Sequence, residues 1–282
     1  MSKNKKFSNY KLLNFDFKNF KKYDHILPEF YGIIILAGLV GDPITKKYPK
    51  ESEEINHLNM KKLIKQIFKK KIQRLIFVST CSNYGLMENN IKAKENSPLK
   101  PLSFYAKSKV NLEKFILSFK KKKFSTTPTI LRFATAFGLS PRMRFDLTIN
   151  EFTRDIFLKK KLLVYDENTW RPYCHIKDFA RLIDKVLKTK SSLINYQVFN
   201  AGSTQNNFTK KKIVNKILNY KKSKNINYLS KGKDKRNYIV DFSKLNKKLK
   251  FFTRYSVNYG IKEILNWLKT NKKFHKKKIR KL

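Results

Sequence analysis

Glycine is scarce in this chain. The 282 residues include eight: Gly32, Gly38, Gly41, Gly85, Gly138, Gly202, Gly232 and Gly260. No three fall within seven positions. A Gly-rich turn that wraps backbone amides around a phosphate at a helix N-terminus is therefore absent. Cysteine is scarcer still: Cys81 and Cys174 form no CxxC pair, so neither a zinc ribbon nor a disulfide framework is indicated. A reduced, cytoplasmic setting is the expectation. The four histidines, His25, His57, His175 and His275, make no close group with Cys or Asp, so no metal site is expected. The first residues lack the apolar run of a signal peptide. The longest apolar stretch, Ile33 to Val40, is too short to span a bilayer.

Acidic residues are also few, 20 against 65 basic ones, for a net charge of +45. A polyanion partner is one reading of that excess. Compositional drift is favoured, because the lysines are scattered through every segment and no base-recognition module is present. No specific nucleic-acid partner is expected, although the positive field draws anionic substrates. A hydrophobic fraction of 41% and an aromatic fraction of 14% are enough for a buried core.

Short apolar runs alternate with amphipathic, lysine-rich stretches. The runs Tyr10–Phe15, Gly32–Ala37, Arg74–Ser79, Thr127–Phe133 and Tyr196–Ala201 read as strands. Residues 52–70, 104–121, 147–160, 178–188 and 210–219 read as helices. Such alternation predicts a parallel sheet with crossover helices.

One cluster carries chemistry. Ser79-Thr80-Cys81-Ser82-Asn83-Tyr84-Gly85 follows the strand Arg74-Leu75-Ile76-Phe77-Val78. A hydroxyl at the carboxyl end of a parallel strand sits where such sheets bind ligands. Tyr105 follows Thr80 by 25 residues and precedes Lys109 by four, so phenol and amine share one helical face. A tyrosine with a pKa near 10 is a poor base at neutral pH, and a nearby ammonium favours its phenolate. The phenolate can then take a proton from a sugar hydroxyl while hydride leaves the carbon for a nicotinamide. Thr80 can hold the substrate oxygen. Tyr-x-x-x-Lys also occurs at Tyr173 and Tyr220. Only Tyr105 has the preceding strand, the hydroxyl turn and the Pro98-x-x-Pro101 loop around it.

In this context the chain resembles the extended short-chain dehydrogenase/reductase family, the NAD-dependent sugar-nucleotide epimerases and dehydratases. Leu36-Ala37-Gly38-Leu39-Val40-Gly41-Asp42-Pro43 resembles the family's fourth-strand exit, and Asn56 the Asn opening its next helix. Leu131 to Gly138, Trp170 to Asp178, Asn200-Ala201-Gly202-Ser203 and Arg236-Asn237-Tyr238 through Lys244 resemble later landmarks. The resemblance implies a catalytic trio of Thr80, Tyr105 and Lys109. It implies cofactor contacts from Asp16, Ala37, Gly38, Ser79, Tyr105 and Lys109, and a grip on the substrate diphosphate by Arg171 and Arg236. It makes His175 structural. The implied cofactor is NAD, with NADP not excluded, and the implied substrate is a nucleotide-linked sugar.

The family begins with a strand and a G-x-x-G-x-x-G turn that this sequence lacks. The expectation is a chain starting at the family's third strand, with about one and a half βαβ units, roughly 50 residues, missing. The expected fold is an α/β Rossmann-type parallel sheet without its first two strands, over residues 1–137. A substrate lobe over 138–270 would return a strand near 196–201 to the sheet, and 271–282 would form a basic tail. Three readings of the gap stay open: the first strand re-pairs directly, a separate polypeptide supplies the Gly-rich unit, or the true start lies upstream. The leading functional expectation is an epimerase, with a net reductase open and a 4,6-dehydratase disfavoured, because Cys81-Ser82 replaces the acidic pair after Thr80. The alternative is a catalytically silent fragment or partner subunit that cannot bind the dinucleotide alone. The family also implies a homodimer.

Overall fold

Strand β2 (Arg74–Thr80) is apolar on both faces, and its alternate residues enter different cores: Leu75 and Phe77 on one side, Ile76 on the other. A strand buried on both faces belongs inside a parallel sheet covered by helices. The computed structural model, which describes residues 12–14, 17–88, 91–232 and 234–271, shows that arrangement. Its four-stranded parallel sheet has the order β1 (Gly32–Ile35), β2, β4 (Thr127–Phe133), β8 (Gln197–Ala201). Ile34 pairs with Ile76, Val78 with Leu131, and Leu131 with Phe199. This is a mixed α/β fold with a Rossmann-like sheet.

One face of the sheet is covered by α1 (Met60–Lys69) and α2 (Phe104–Ser118). Ile64, Ile67, Phe68, Leu112 and Ile116 pack there on Leu75, Phe77 and Ile130. The opposite face takes Phe179, Leu182 and Val186 of α4 (Ile176–Lys188). A third core joins Phe137 and Tyr173 to α3 (Thr148–Phe157), α5 (Lys210–Leu218) and α7 (Val257–Thr270), while α6 (Ser243–Leu249) sends Leu245 and Leu249 into the same core as Phe179. Around it lie short strands: β5 (Thr135–Phe137), β7 (Trp170–His175) and β9 (Asn207–Thr209) in one sheet, β6 (Leu162–Tyr165) with β10 (Ile226–Leu229) in another. Strand β11 (Ile239–Val240) pairs with β3 (Lys92–Ala93).

The sheet borders differ slightly from the sequence reading. The Gly32–Ala37 run stops pairing at Ile35, and β2 extends to Thr80. The stretch read as one helix over 52–70 is three pieces: a helix over Pro49–Glu53, a π-helical turn over Glu54–Asn59, and α1. The Tyr10–Phe15 run falls largely outside the described residues, and Leu12–Asn14 carry no regular structure. Asp16 and residues 272–282 lie outside the described residues. Among the described residues no strand pairs with the outer edge of β1, where Ile34 and Leu36 are exposed.

Candidate active site

Helix α2 starts at Ser103, whose hydroxyl accepts the Ala106 N–H at 3.2 Å and fixes the entry angle. The first turn then presents Tyr105, and the next presents Lys109. The Lys109 amine is buried, donates to the Val78 carbonyl at 2.8 Å and lies 6.0 Å from the Tyr105 ring centre. Because Val78 is two residues before Thr80, this bond ties the helix to the strand tip. Burial pushes the Lys109 amine down to about 8, with Glu113 pulling the other way.

Thr80 ends β2 and caps the short turn Cys81–Tyr84, its hydroxyl oxygen accepting the Ser82 N–H at 3.1 Å. The hydroxyl hydrogen stays free to be aimed at a ligand. Behind the tip lies a buried polar network that the sequence reading missed. Glu113 accepts from the Ser79 hydroxyl, from Asn83 at 2.8 Å, and from the Arg132 guanidinium at 3.1 Å and 2.7 Å. The Ser79 hydroxyl thus points at Glu113, and the side chain is buried. Arg132 also donates to the Tyr84 hydroxyl, whose oxygen lies 2.6 Å from the Asn200 carbonyl oxygen. The only advance sign of this network was an acid at a core-facing position of α2, one turn beyond Lys109.

Ala37, Asn56, Tyr105, Ser108 and Lys109 line one cavity. The π-helical turn carries Asn56, whose amide accepts the Leu39 N–H at 2.7 Å and donates to the Leu39 carbonyl at 2.9 Å. π-helical turns of this kind recur at functional sites. Here the clamp holds the β1 exit, and Gly38 takes φ 134° with Asn56 so close that a Cβ would stand 2.7 Å from its oxygen. Only glycine fits both the conformation and the space.

Arg171 and Arg236, 65 residues apart in the chain, meet at the same end of the sheet. Arg171 donates to the Arg236 carbonyl, and Arg236 donates to the Ser82 hydroxyl at 3.1 Å. Both lie against Asp234. Burial opposes ionisation of Asp234, but the Arg236 hydrogen bonds and the Arg171 charge outweigh it and hold the carboxyl well below its usual range. His175 is buried in a structural position. Its Nδ1 accepts the Lys177 N–H at 3.2 Å, capping α4, and its Nε2 is 3.0 Å from Glu263. Burial lowers its pKa, with Glu263 opposing.

The family model for "NAD dependent epimerase/dehydratase family" matches residues 2–202. The chain belongs to the NAD-dependent epimerase/dehydratase family. Family members similar to it include a UDP-glucuronate 4-epimerase of Thermodesulfobacterium geofontis, 27% identical over 279 residues, covering 95% of this chain and 82% of that protein. Among solved structures, the UDP-glucuronic acid 4-epimerase of Bacillus cereus, in complex with UDP-glucuronic acid and NAD, superposes with a TM-score of 0.81. It is 23% identical, with 94% of this chain and 83% of that one covered. The dTDP-glucose 4,6-dehydratase of Bacillus anthracis, in complex with NAD, gives a TM-score of 0.80 at 24% identity, covering 95% and 82%. At these identities the superpositions establish the Rossmann-type fold. Family membership makes the chain an NAD-dependent enzyme of the epimerase/dehydratase type.

Tyr105 and Lys109 bring a phenol and an amine, groups that can meet a ribose and a nicotinamide, to a cavity that Ala37 also lines and that is itself of about 10 Å³. No Gly-rich turn for the pyrophosphate exists in the sequence.

Proposed function

We propose that the chain is an epimerase acting on a UDP-linked sugar, with Tyr105, Lys109 and Thr80 as its catalytic residues. The observation that carries this reading is the Lys109 amine, buried one helical turn beyond Tyr105 and bonded to the strand that ends at Thr80. When bound, NAD supplies a reversible hydride acceptor. Tyr105 takes the proton of the sugar hydroxyl and later returns it. Lys109 holds positive charge beside the phenol, favouring the phenolate, and donates to the nicotinamide ribose. Thr80 donates its free hydrogen to the same sugar oxygen, and Arg171 and Arg236 grip the diphosphate, a task suited to planar guanidinium forks. Ala37 and Gly38 pass close to the cofactor at the β1 exit.

The test is incubation of the purified chain with NAD and UDP-glucuronate or UDP-glucose, followed by NMR of the sugar. Appearance of the 4-epimer is expected. A chain that binds NAD and a UDP-sugar yet gives neither epimer nor reduced product rules the reading out.

A second reading is favoured by the lack of a Gly-rich turn and by the outer edge of β1, unpaired among the described residues: the chain is silent until another polypeptide segment supplies the pyrophosphate cradle. Calorimetry with NAD separates the two, since binding by the chain alone eliminates the second. We also propose a homodimer through α2, which sedimentation would reveal. Among the described residues no helix is long and apolar enough to cross a membrane.

A further inference from the structure

Asp234 sits in the loop before β11, against both arginines of the diphosphate clamp. Its carboxylate receives the Arg236 fork in two parallel bonds, Nε to Oδ1 at 2.7 Å and Nη2 to Oδ2 at 2.7 Å. Arg171 Nη2 stands 3.1 Å from Oδ2. The side-chain exposures differ: 7% for Arg171 and 22% for Arg236, against 42% for Asp234. The acid therefore meets the two guanidinium groups from the solvent side. It also satisfies them incompletely. The Arg171 contact lies outside hydrogen-bond geometry, and that buried Nη2 has no hydrogen-bond partner. Lys210 adds a third cation within electrostatic reach of both arginines, Asp234 and Asp166.

We infer that Asp234 is an internal anion standing in the place of the substrate's diphosphate, so that its charge sets how tightly the chain holds a nucleoside diphosphate. The inference rests on the reading of Arg171 and Arg236 as the diphosphate clamp. Two guanidinium groups gathered in a partly desolvated position repel each other and cost free energy when uncompensated. Asp234 offsets that cost in the ligand-free chain. A diphosphate brings more oxygens than one carboxylate, and one of them can take the idle Arg171 donor. Asp234 is half-exposed, so water solvates it readily when it gives up the arginines. While it stays, its charge opposes the incoming phosphates.

Isothermal calorimetry with UDP as probe tests this. Asp234→Asn keeps the shape and removes the charge, and is expected to tighten UDP about three- to tenfold at low ionic strength. The gain shrinks as salt is raised, and Asp234→Glu stays near the parent value. The KM for the nucleotide sugar falls in the same proportion. Unchanged or weaker UDP binding by Asp234→Asn overturns the inference, because a merely structural carboxylate would orient the arginines and its loss would weaken the ligand. Arg236→Met reports on the underlying reading. If it leaves UDP affinity intact, the clamp itself is misassigned. If it weakens UDP while Asp234→Asn changes nothing, the clamp stands and only the internal-anion role fails.

Discussion

A lysine amine is seldom buried unless something holds it. Lys109 donates a hydrogen bond to the Val78 carbonyl at 2.8 Å, and the Glu113 charge, one turn on along the same helix, favours its ammonium. Burial nevertheless lowers its pKa to about 8. Below that pH the ammonium supports a Tyr105 phenolate, and above it the support is lost. The expected kcat/KM profile therefore falls on its alkaline side near pH 8, which initial rates across pH 6–10, roughly spanning that value, will check. A stability effect accompanies it. An unfolded lysine titrates near 10.4, so the native amine binds its proton more weakly than the unfolded one. The charged amine costs stability below pH 8, and the cost fades as pH rises from there to about 10.4. Lys109→Met removes the cost, so its stability relative to the parent is highest at neutral pH and declines at alkaline pH in urea unfolding. Tyr105→Phe, by contrast, is expected to lower kcat by about 10²- to 10⁴-fold with the melting temperature little changed. A rate within a factor of a few of the parent would remove Tyr105 from the chemistry. Tyr105 and Lys109 were readable in the sequence because helical periodicity alone places them together. Glu113 and Asp234 were not, because their partners Arg132 and Arg171 lie 19 and 63 residues away and only the folded chain joins them.

At the scale of elements, the strands of the main sheet were legible wherever burial on both faces forced a continuous β-branched or aromatic run, as in Thr127–Phe133. The smaller sheets were not. Strand β7 carries Arg171, Pro172 and His175 among its six residues and buries five of them, so its polar groups hide a strand that tertiary contacts create. Strands β6 and β10 are four residues each; β6 is exposed along one side and β10 at three of its four positions. Helix α7 went unread for a different reason: Gly260 interrupts its pattern. The structure explains that glycine, since a Cβ there would collide with the Phe137 ring and approach His175. A second tie between α2 and the sheet, beside the Lys109–Val78 bond, is the buried Glu113–Arg132 pair, with side chains 2% and 5% exposed. Removing one partner strands the other charge away from water. Glu113→Gln is thus expected to destabilise the fold by roughly 3–5 kcal/mol, measured by urea denaturation. A loss below about 1 kcal/mol, the range of surface pairs, would mean that water reaches the network.

The whole molecule sets a large charge against an open edge. With a net charge of +45, two copies repel each other strongly at low ionic strength. Yet Phe30, Tyr31, Ile34, Leu36 and Val40 are exposed in β1 and the segments flanking it, and the outer edge of β1 has no strand partner among the described residues. An unpaired apolar edge is a template for pairing with another chain. Repulsion between exposed charges is screened within a Debye length of about 8 Å at physiological salt, whereas apolar burial is not weakened by salt. Adding salt should therefore uncover the edge: species larger than the proposed α2 dimer are expected to grow with ionic strength in sedimentation velocity. Ile34→Lys places a charge on that edge without touching α2 or the cavity around Tyr105, and is expected to suppress the larger species while leaving the dimer. A segment that pairs with β1, supplied in trans, should do the same by occupying the edge. Self-association that is independent of salt, or that survives Ile34→Lys, would mean that the copies meet through some other surface and that the edge is already covered.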